Sequence, residues 1–295
     1  MSDSVIVILA SDSHLPHAKA LMVNCRRQGN WKGDFCLLAA KDCDPEAMEG
    51  RGVSVVRIPD DDYKQARFWL FSDHFHKWKR VLSLDCDVLV QGDLNAAFDG
   101  LAEKLPAIVC DGGQQPEEGT VLKNWQFFDK DFDRRPGHDA HPEVYERLKA
   151  RFPCMDKLTF TMDVIFFSPE TIPPGTTEEL QSVQKEFAEA NAGRYDQPVI
   201  LAVLFDQMVP MTKDFCCWFP FDEPSHRVAQ RGWRGDEEPV ILHYFSWFAP
   251  WIVKEDLDPP MGAYYNHRLG RVCHELYAEN LAAFDETFPL LCTGL

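Results

Sequence analysis

Apolar positions in the first third of the chain follow two alternating spacings. VIVILA (5–10) is an unbroken, β-branched run, as expected of a strand buried on both faces. A helical spacing from about Pro16 to Gln28 follows, and Gly29 is placed to stop it. DFCLLAA (34–40) and VSVVRI (53–58) predict two further strands, and YKQARFWLFSDHF (63–75) predicts a helix. RVLSLDCDVLV (80–90) reads as one continuous strand and PAIVCD (106–111) as another. This alternation predicts an α/β fold with a mixed, mostly parallel sheet flanked by helices. Ligands of such sheets bind beyond the carboxyl ends of the strands.

The pattern is looser afterwards. Residues 112–156 are rich in Gly, Pro and charge, which predicts long loops around one helix, PEVYERLKARF. LTFTMDVIFFS (158–168) returns to strand. Thr176 and Glu179 have the spacing of a capping box for EELQSVQKEFAEAN, with Gly193 to end it. DQPVILAVLFDQ predicts a helix, PVILHYF (239–245) a late strand, and RLGRVCHELYAENLAAF a final helix. Leu269, Val272, Leu276 and Leu281 fall near helical spacing there, offering a face for packing on the body or for pairing two copies.

Asp85 and Asp87 stand out against this pattern, because VLSLDCDVLVQGDL (81–94) is otherwise almost wholly Val, Leu, Ser and Cys before its last turn. On extended backbone, residues i and i+2 share a face, so the two carboxylates project together while Cys86 faces the core. Unpaired carboxylates at a buried strand end repel and are costly to desolvate, and a divalent cation such as Mg²⁺ or Mn²⁺ removes that cost. A turn-capping Asp beside a solvated one fits the local pattern equally well. The other acidic clusters are poorer candidates. DDD (60–62) follows a Pro in a turn, and DKDFDR (129–134) begins like a calcium loop but has Arg134 where Gly is needed and Ala140 where Glu is needed.

Composition narrows the chemistry. The chain has 295 residues with a net charge of −17, 47 acidic against 30 basic, which argues against nucleic acid as a partner. The apolar run at 5–10 lacks a basic lead and is too short to span a bilayer, and no run approaches the roughly 18 apolar residues a span requires. Ten scattered cysteines without a C-x-x-C pair fit reduced thiols in a cytoplasmic protein. The P-loop, the dinucleotide-binding G-x-G-x-x-G and the G-x-S-x-G elbow are all absent from the sequence.

RVLSLDCDVLVQGDL resembles the metal-binding D-x-D segment of glycosyltransferase family 8, retaining enzymes with the GT-A fold. Four more segments resemble that family in order: VIVILASDSH (5–14) its first strand and uridine-binding turn, Arg67 its arginine upstream of D-x-D, RYDQPVILAVL (194–204) its D-Q helix start, and HYFSWFAPW (243–251) its H-x-x-G-x-x-K-P-W segment. The resemblance implies a GT-A domain over 1–255 with a C-terminal helical extension over 256–295. It implies that Asp85, Asp87 and His243 coordinate Mn²⁺ (or Mg²⁺), that Ala10, Asp12 and His14 hold the uracil of a UDP-sugar, and that Arg67 and Cys86 belong to the donor site. Asp196 would bind sugar hydroxyls and Gln197 would lie near the anomeric carbon. For Asp196, a helix N-cap is the structural alternative, compatible with the first role. The implied activity is metal-dependent transfer of a hexose from a UDP-sugar to a sugar, lipid or protein acceptor.

Three positions depart from the family pattern. Asp163 stands where Gly is usual, which is expected to alter the sugar or acceptor pocket, and Ser246 and Ala249 replace the Gly and Lys of the last segment. Losing a charged hydrogen bond to the diphosphate costs roughly 1.5–3 kcal/mol, or about 10- to 100-fold in rate if it acts in the transition state. Lys254 could substitute. The departures define an alternative, a nucleotide-sugar-binding pseudoenzyme. A sugar-phosphate nucleotidyltransferase would need a Gly-rich basic loop after the first strand, where SDSHLPH (11–17) has no Gly. Trp125, Phe127 and Phe128 either stack on an acceptor sugar or anchor a loop.

Overall fold

The computed structural model describes residues 2–59, 63–110, 142–157, 161–188, 196–212, 214–219, 239–244, 251 and 268–291. The DDD turn, the aromatics at 125–128, the 129–140 cluster, Gly193, Ser246, Ala249 and Lys254 lie outside them. The strands are β1 (Ser4–Ala10), β2 (Asp34–Ala39), β3 (Val53–Arg57), β4 (Arg80–Leu84), β5 (Val88–Val90), β6 (Ile108–Cys110), β7 (Val164–Phe167), β8 (Met208–Pro210), β9 (Cys216–Phe219) and β10 (Ile241–Tyr244). The helices, apart from short 3₁₀ turns, are α1 (Leu15–Arg27), α2 (Leu94–Ala102), α3 (Pro142–Arg151), α4 (Thr176–Glu186), α5 (Gln197–Leu204), α6 (Arg268–Ala282) and α7 (Phe284–Thr287).

Seven strands form one sheet in the order β3-β2-β1-β4-β7-β6-β8. Neighbours in β3-β2-β1-β4 are parallel, as are β6 and β8, while β7 runs against both β4 and β6. Every residue of β1 is buried. Val5, Val7 and Leu9 enter one apolar cluster and Ile6, Ile8 and Ala10 the other, because a pleated strand sends alternate side chains to opposite faces. The chain winds to β2 on one side of β1 and to β4 on the other. In sheets of this kind ligands bind at such a reversal, here the carboxyl ends of β1 and β4.

The continuous strand expected over 80–90 is instead two strands in two sheets. After Leu84 the chain turns through Asp85, Cys86 and Asp87, and β5 then joins a second sheet ordered β5-β10-β9. Asn24 on α1 fixes this departure. Its Oδ1 accepts from the Val90 amide at 2.7 Å and its Nδ2 donates to the Val90 carbonyl at 2.9 Å, occupying both polar groups of a buried residue. Gly29 is needed for close approach: a Cβ there would sit 2.7 Å from the Cys25 carbonyl and 2.9 Å from a Val90 methyl.

Two helix expectations also change. Residues 63–75 form 3₁₀ turns, Tyr63–Phe71 and Asp73–Lys77, rather than one helix. Ala66, Arg67, Phe68, Leu70 and Phe71 are all buried there, so the described side chains present no polar stripe to set a 3.6-residue period. The capping box is not formed either. Gly175, at φ 80°, is the N-cap, and the Thr176 hydroxyl donates to the Pro173 carbonyl at 2.6 Å. Strands β8 and β9 are additional to those expected. Among the described residues no helix is long and apolar enough to cross a membrane.

The C-terminal helices lie on the body. Tyr277 of α6 is 2.6 Å from His17 Nδ1 on α1, and Arg51 pairs with Asp285 of α7 at 3.0 Å. His17 also stacks on Trp251, with ring centres 3.8 Å apart.

Replacing Asn24 with Leu should leave the Val90 N–H and C=O buried and unpaired, at about 1–3 kcal/mol for each group. Urea denaturation reads the change. A loss under about 0.5 kcal/mol, the size of an ordinary surface substitution, would contradict this role.

Candidate active site

The turn 85–87 sits where the two sheets meet, and each sheet extends its ladder by one residue into it. In the large sheet Leu84 pairs with Val164, so the next residues, Asp85 and Asp163, lie opposite each other. The Asp85 amide donates to the Asp163 carbonyl at 2.9 Å. In the small sheet His243 pairs with Val88, and the Tyr244 amide donates to the Asp87 carbonyl at 2.8 Å. Backbone register therefore delivers His243 to Asp87 from more than 150 residues away in sequence.

The side chains follow the backbone. Asp87 Oδ1 lies 3.8 Å from His243 Nε2, and Asp163 Oδ2 lies 3.6 Å from His243 Nδ1. His243 itself is 5% exposed. The Asp85 carboxylate takes a different partner: Arg67 Nη2 donates to Oδ1 at 2.9 Å and to Oδ2 at 2.6 Å. Arg67 Nε lies 3.2 Å from Asp196 Oδ2. Asp196 is also the N-cap of α5, accepting from the Gln197 amide at 2.7 Å, so its two structural roles coexist. Gln197 is the first residue of that helix.

Burial dominates the electrostatics. It pushes Asp85 up to about 7, against the pull of Arg67 and with added repulsion from Asp163 and Asp196. It also raises Asp87, with His243 drawing it back and the Asp85 charge adding to the rise. The guanidinium of Arg67, itself buried, does not offset the desolvation of Asp85.

The remaining expected residues gather at the end of β1. Ala10 is buried, and its carbonyl accepts from the Ala40 amide at 2.9 Å. Asp12 is exposed at the start of the 3₁₀ turn Asp12–His14. His14 Nδ1 lies 2.6 Å from the Ser11 hydroxyl. Cys86 turns away from the two acids, its Sγ 3.4 Å from the Leu9 carbonyl and 3.9 Å from that of His14. The thiol thus ties the acidic turn to the turn at 11–14. Asp163, expected to alter the sugar or acceptor pocket, lies against His243, its Oδ2 3.6 Å from Nδ1. Only its departure from the family pattern drew attention to it.

A divalent cation fits one part of this arrangement directly. Asp87 Oδ1 is buried without a hydrogen-bond partner and faces an imidazole nitrogen. An oxygen and a nitrogen donor suit Mn²⁺. The third expected ligand is otherwise engaged. With both Asp85 oxygens on Arg67, the described residues contain no ready-made group of three His, Cys, Asp or Glu side chains placed to hold a metal.

The fold is that of the GT-A glycosyltransferases. The galactosyltransferase LgtC, solved with donor and acceptor sugar analogues, superposes with a TM-score of 0.57 at 15% identity, over 93% of this chain and 95% of its own. The glycosyltransferase GlyE of Streptococcus pneumoniae TIGR4 gives 0.55 at 16% identity, over 98% of this chain and 66% of its own. The bifunctional glycosyltransferase WbbM gives 0.55 at 15%, over 97% and 51%. No curated protein matches the sequence. Residues 65–254 match the family model Glycosyl transferase family 8, and the chain belongs to that family.

Replacing Arg67 with Met should leave Asp85 and Asp196 buried without their counter-charge, at about 3–5 kcal/mol near pH 8. The raised Asp85 carboxyl binds its proton more tightly in the folded than in the unfolded chain, so its cost grows as pH rises from about 4 through 7 and shrinks on acidification. Denaturation of the metal-free variant should therefore show a smaller deficit at pH 5.5 than at pH 8. An equal deficit at both would contradict the assignment.

Proposed function

We propose that this glycosyltransferase is a retaining, metal-dependent hexosyltransferase that uses a UDP-sugar and a sugar, lipid or protein acceptor. The observation that carries the reading is the meeting of Asp87 and His243 at the strand ends, beside the Arg67–Asp85–Asp196 cluster. The LgtC structure, solved in complex with donor and acceptor sugar analogues, supplies a parallel.

Asp85, Asp87 and His243 would hold Mn²⁺ or Mg²⁺, Asp85 through a carboxylate it shares with Arg67. Bound there, the ion supplies Lewis-acid stabilisation for the charge that grows on the departing diphosphate. The turn at 11–14, with Asp12 and His14 and the backbone near Ala10, would take the uracil. Cys86 serves this site by holding that turn to the acidic one. Arg67 keeps Asp85 and Asp196 from recoiling. Asp196, fixed by its cap bond and its ion pair, would accept hydroxyls of the sugar, and Gln197 beside it would lie near the anomeric carbon.

Ala249 in place of the family's lysine favours one alternative, a protein that binds the nucleotide sugar without turning it over. Both readings expect UDP binding to depend on Mn²⁺ and to lose that dependence in Asp87→Ala, as measured by calorimetry. Metal-independent binding, or an unaffected variant, would reject both. Release of UDP from UDP-glucose or UDP-galactose with Mn²⁺ separates them: turnover supports the transferase, and binding without hydrolysis or transfer across a donor panel supports the alternative.

A further inference from the structure

His243 has a carboxylate at each ring nitrogen, with Asp163 Oδ2 3.6 Å from Nδ1 and Asp87 Oδ1 3.8 Å from Nε2. Both separations are ion-pair contacts rather than hydrogen bonds. A neutral imidazole carries one N–H, so an ion on Nε2 requires the proton on Nδ1, the nitrogen beside Asp163. Backbone register places Asp163 beside the imidazole. Its carbonyl continues the β4–β7 ladder by accepting from Asp85, and it immediately precedes the wholly buried strand β7. That backbone bond needs no side chain, so Gly would maintain it. The carboxylate is an addition whose charge raises Asp85, an unfavourable neighbour for a site already rich in buried acids.

We propose that Asp163 is a positioning residue for His243: it holds the ring proton on Nδ1 and so leaves the Nε2 lone pair aimed at the space beside Asp87. With the proton on Nε2 instead, that nitrogen could not take an ion. A carboxylate behind a ligating imidazole fixes its orientation and raises its basicity, and loss of such a partner typically weakens metal affinity by about 10- to 100-fold. This chain thus uses a carboxylate that the backbone bond does not require to preset the imidazole. The inference rests on the metal site proposed above.

The test combines calorimetric titration of the full chain with Mn²⁺ alone and ¹⁵N NMR of the histidine side chains in the metal-free protein. Asp163→Gly should lose about 10- to 100-fold in Mn²⁺ affinity. Asp163→Asn, whose carboxamide oxygen can still accept from Nδ1, should recover part of that loss. In a His243→Ala background, Asp163→Gly should change nothing further, because its effect passes through the imidazole. In the metal-free wild type the His243 Nδ1 should carry a proton, and its resonance should change in Asp163→Gly. Unchanged affinity in Asp163→Gly, or an equal loss with and without His243, would overturn the inference. Should the wild type bind no Mn²⁺, the metal site fails, and the NMR still decides the positioning role: identical His243 resonances in wild type and Asp163→Gly overturn it.

Discussion

Register is the constraint on which the site depends. Two sheets share the three-residue turn Asp85–Asp87, and each continues its hydrogen-bond ladder one step into it. The large sheet brings Asp163 to the Asp85 backbone, and the small sheet brings His243 to Asp87. A slip of one residue in either pairing would send the opposing side chain to the other face of its strand. Asn24 therefore matters well beyond its own stability. By occupying both polar groups of Val90 it holds β5 in place, and β5 sets the pairing that delivers His243.

The acids then impose a second condition. Burial raises Asp85 and Asp87 because both lie in a low-dielectric crevice, and Arg67 and His243 are the groups that draw them back. Such a site is strained in charge until something cationic enters it. That is a poor arrangement for stability and, under the proposed function, a good one for gripping a dication together with a diphosphate. Arg67 is central to the balance, since one guanidinium serves Asp85 from the acidic turn and Asp196 from the start of α5.

Much of the frame was legible in the sequence because its signals are local. The all-apolar runs at β1 and β2 could only be buried strands, Gly29 did mark the end of α1, and Asp196 stood at a helix start. The break at Leu84 was not legible. RVLSLDCDVLV keeps the same apolar character on both sides of the turn, so periodicity cannot reveal that its second half belongs to another sheet with a partner at 241–244. The 3₁₀ stretch carrying Arg67 was hidden for a related reason: its residues from Ala66 to Phe71 are buried on nearly every side, which removes the polar stripe that would betray its period. The split loyalties of the two acids, Asp85 to Arg67 and Asp87 to His243, follow from that turn, and so does the closeness of Asp163 to the imidazole.

The proposed function requires a cation seated between Asp87 and His243. Anomalous diffraction at the manganese edge, from crystals grown with UDP and Mn²⁺, locates that ion without reference to turnover. The account predicts one strong peak in coordinating contact with Asp87 Oδ1 and His243 Nε2. A peak elsewhere in the crevice, or nucleotide bound with no metal at those two atoms, would contradict it.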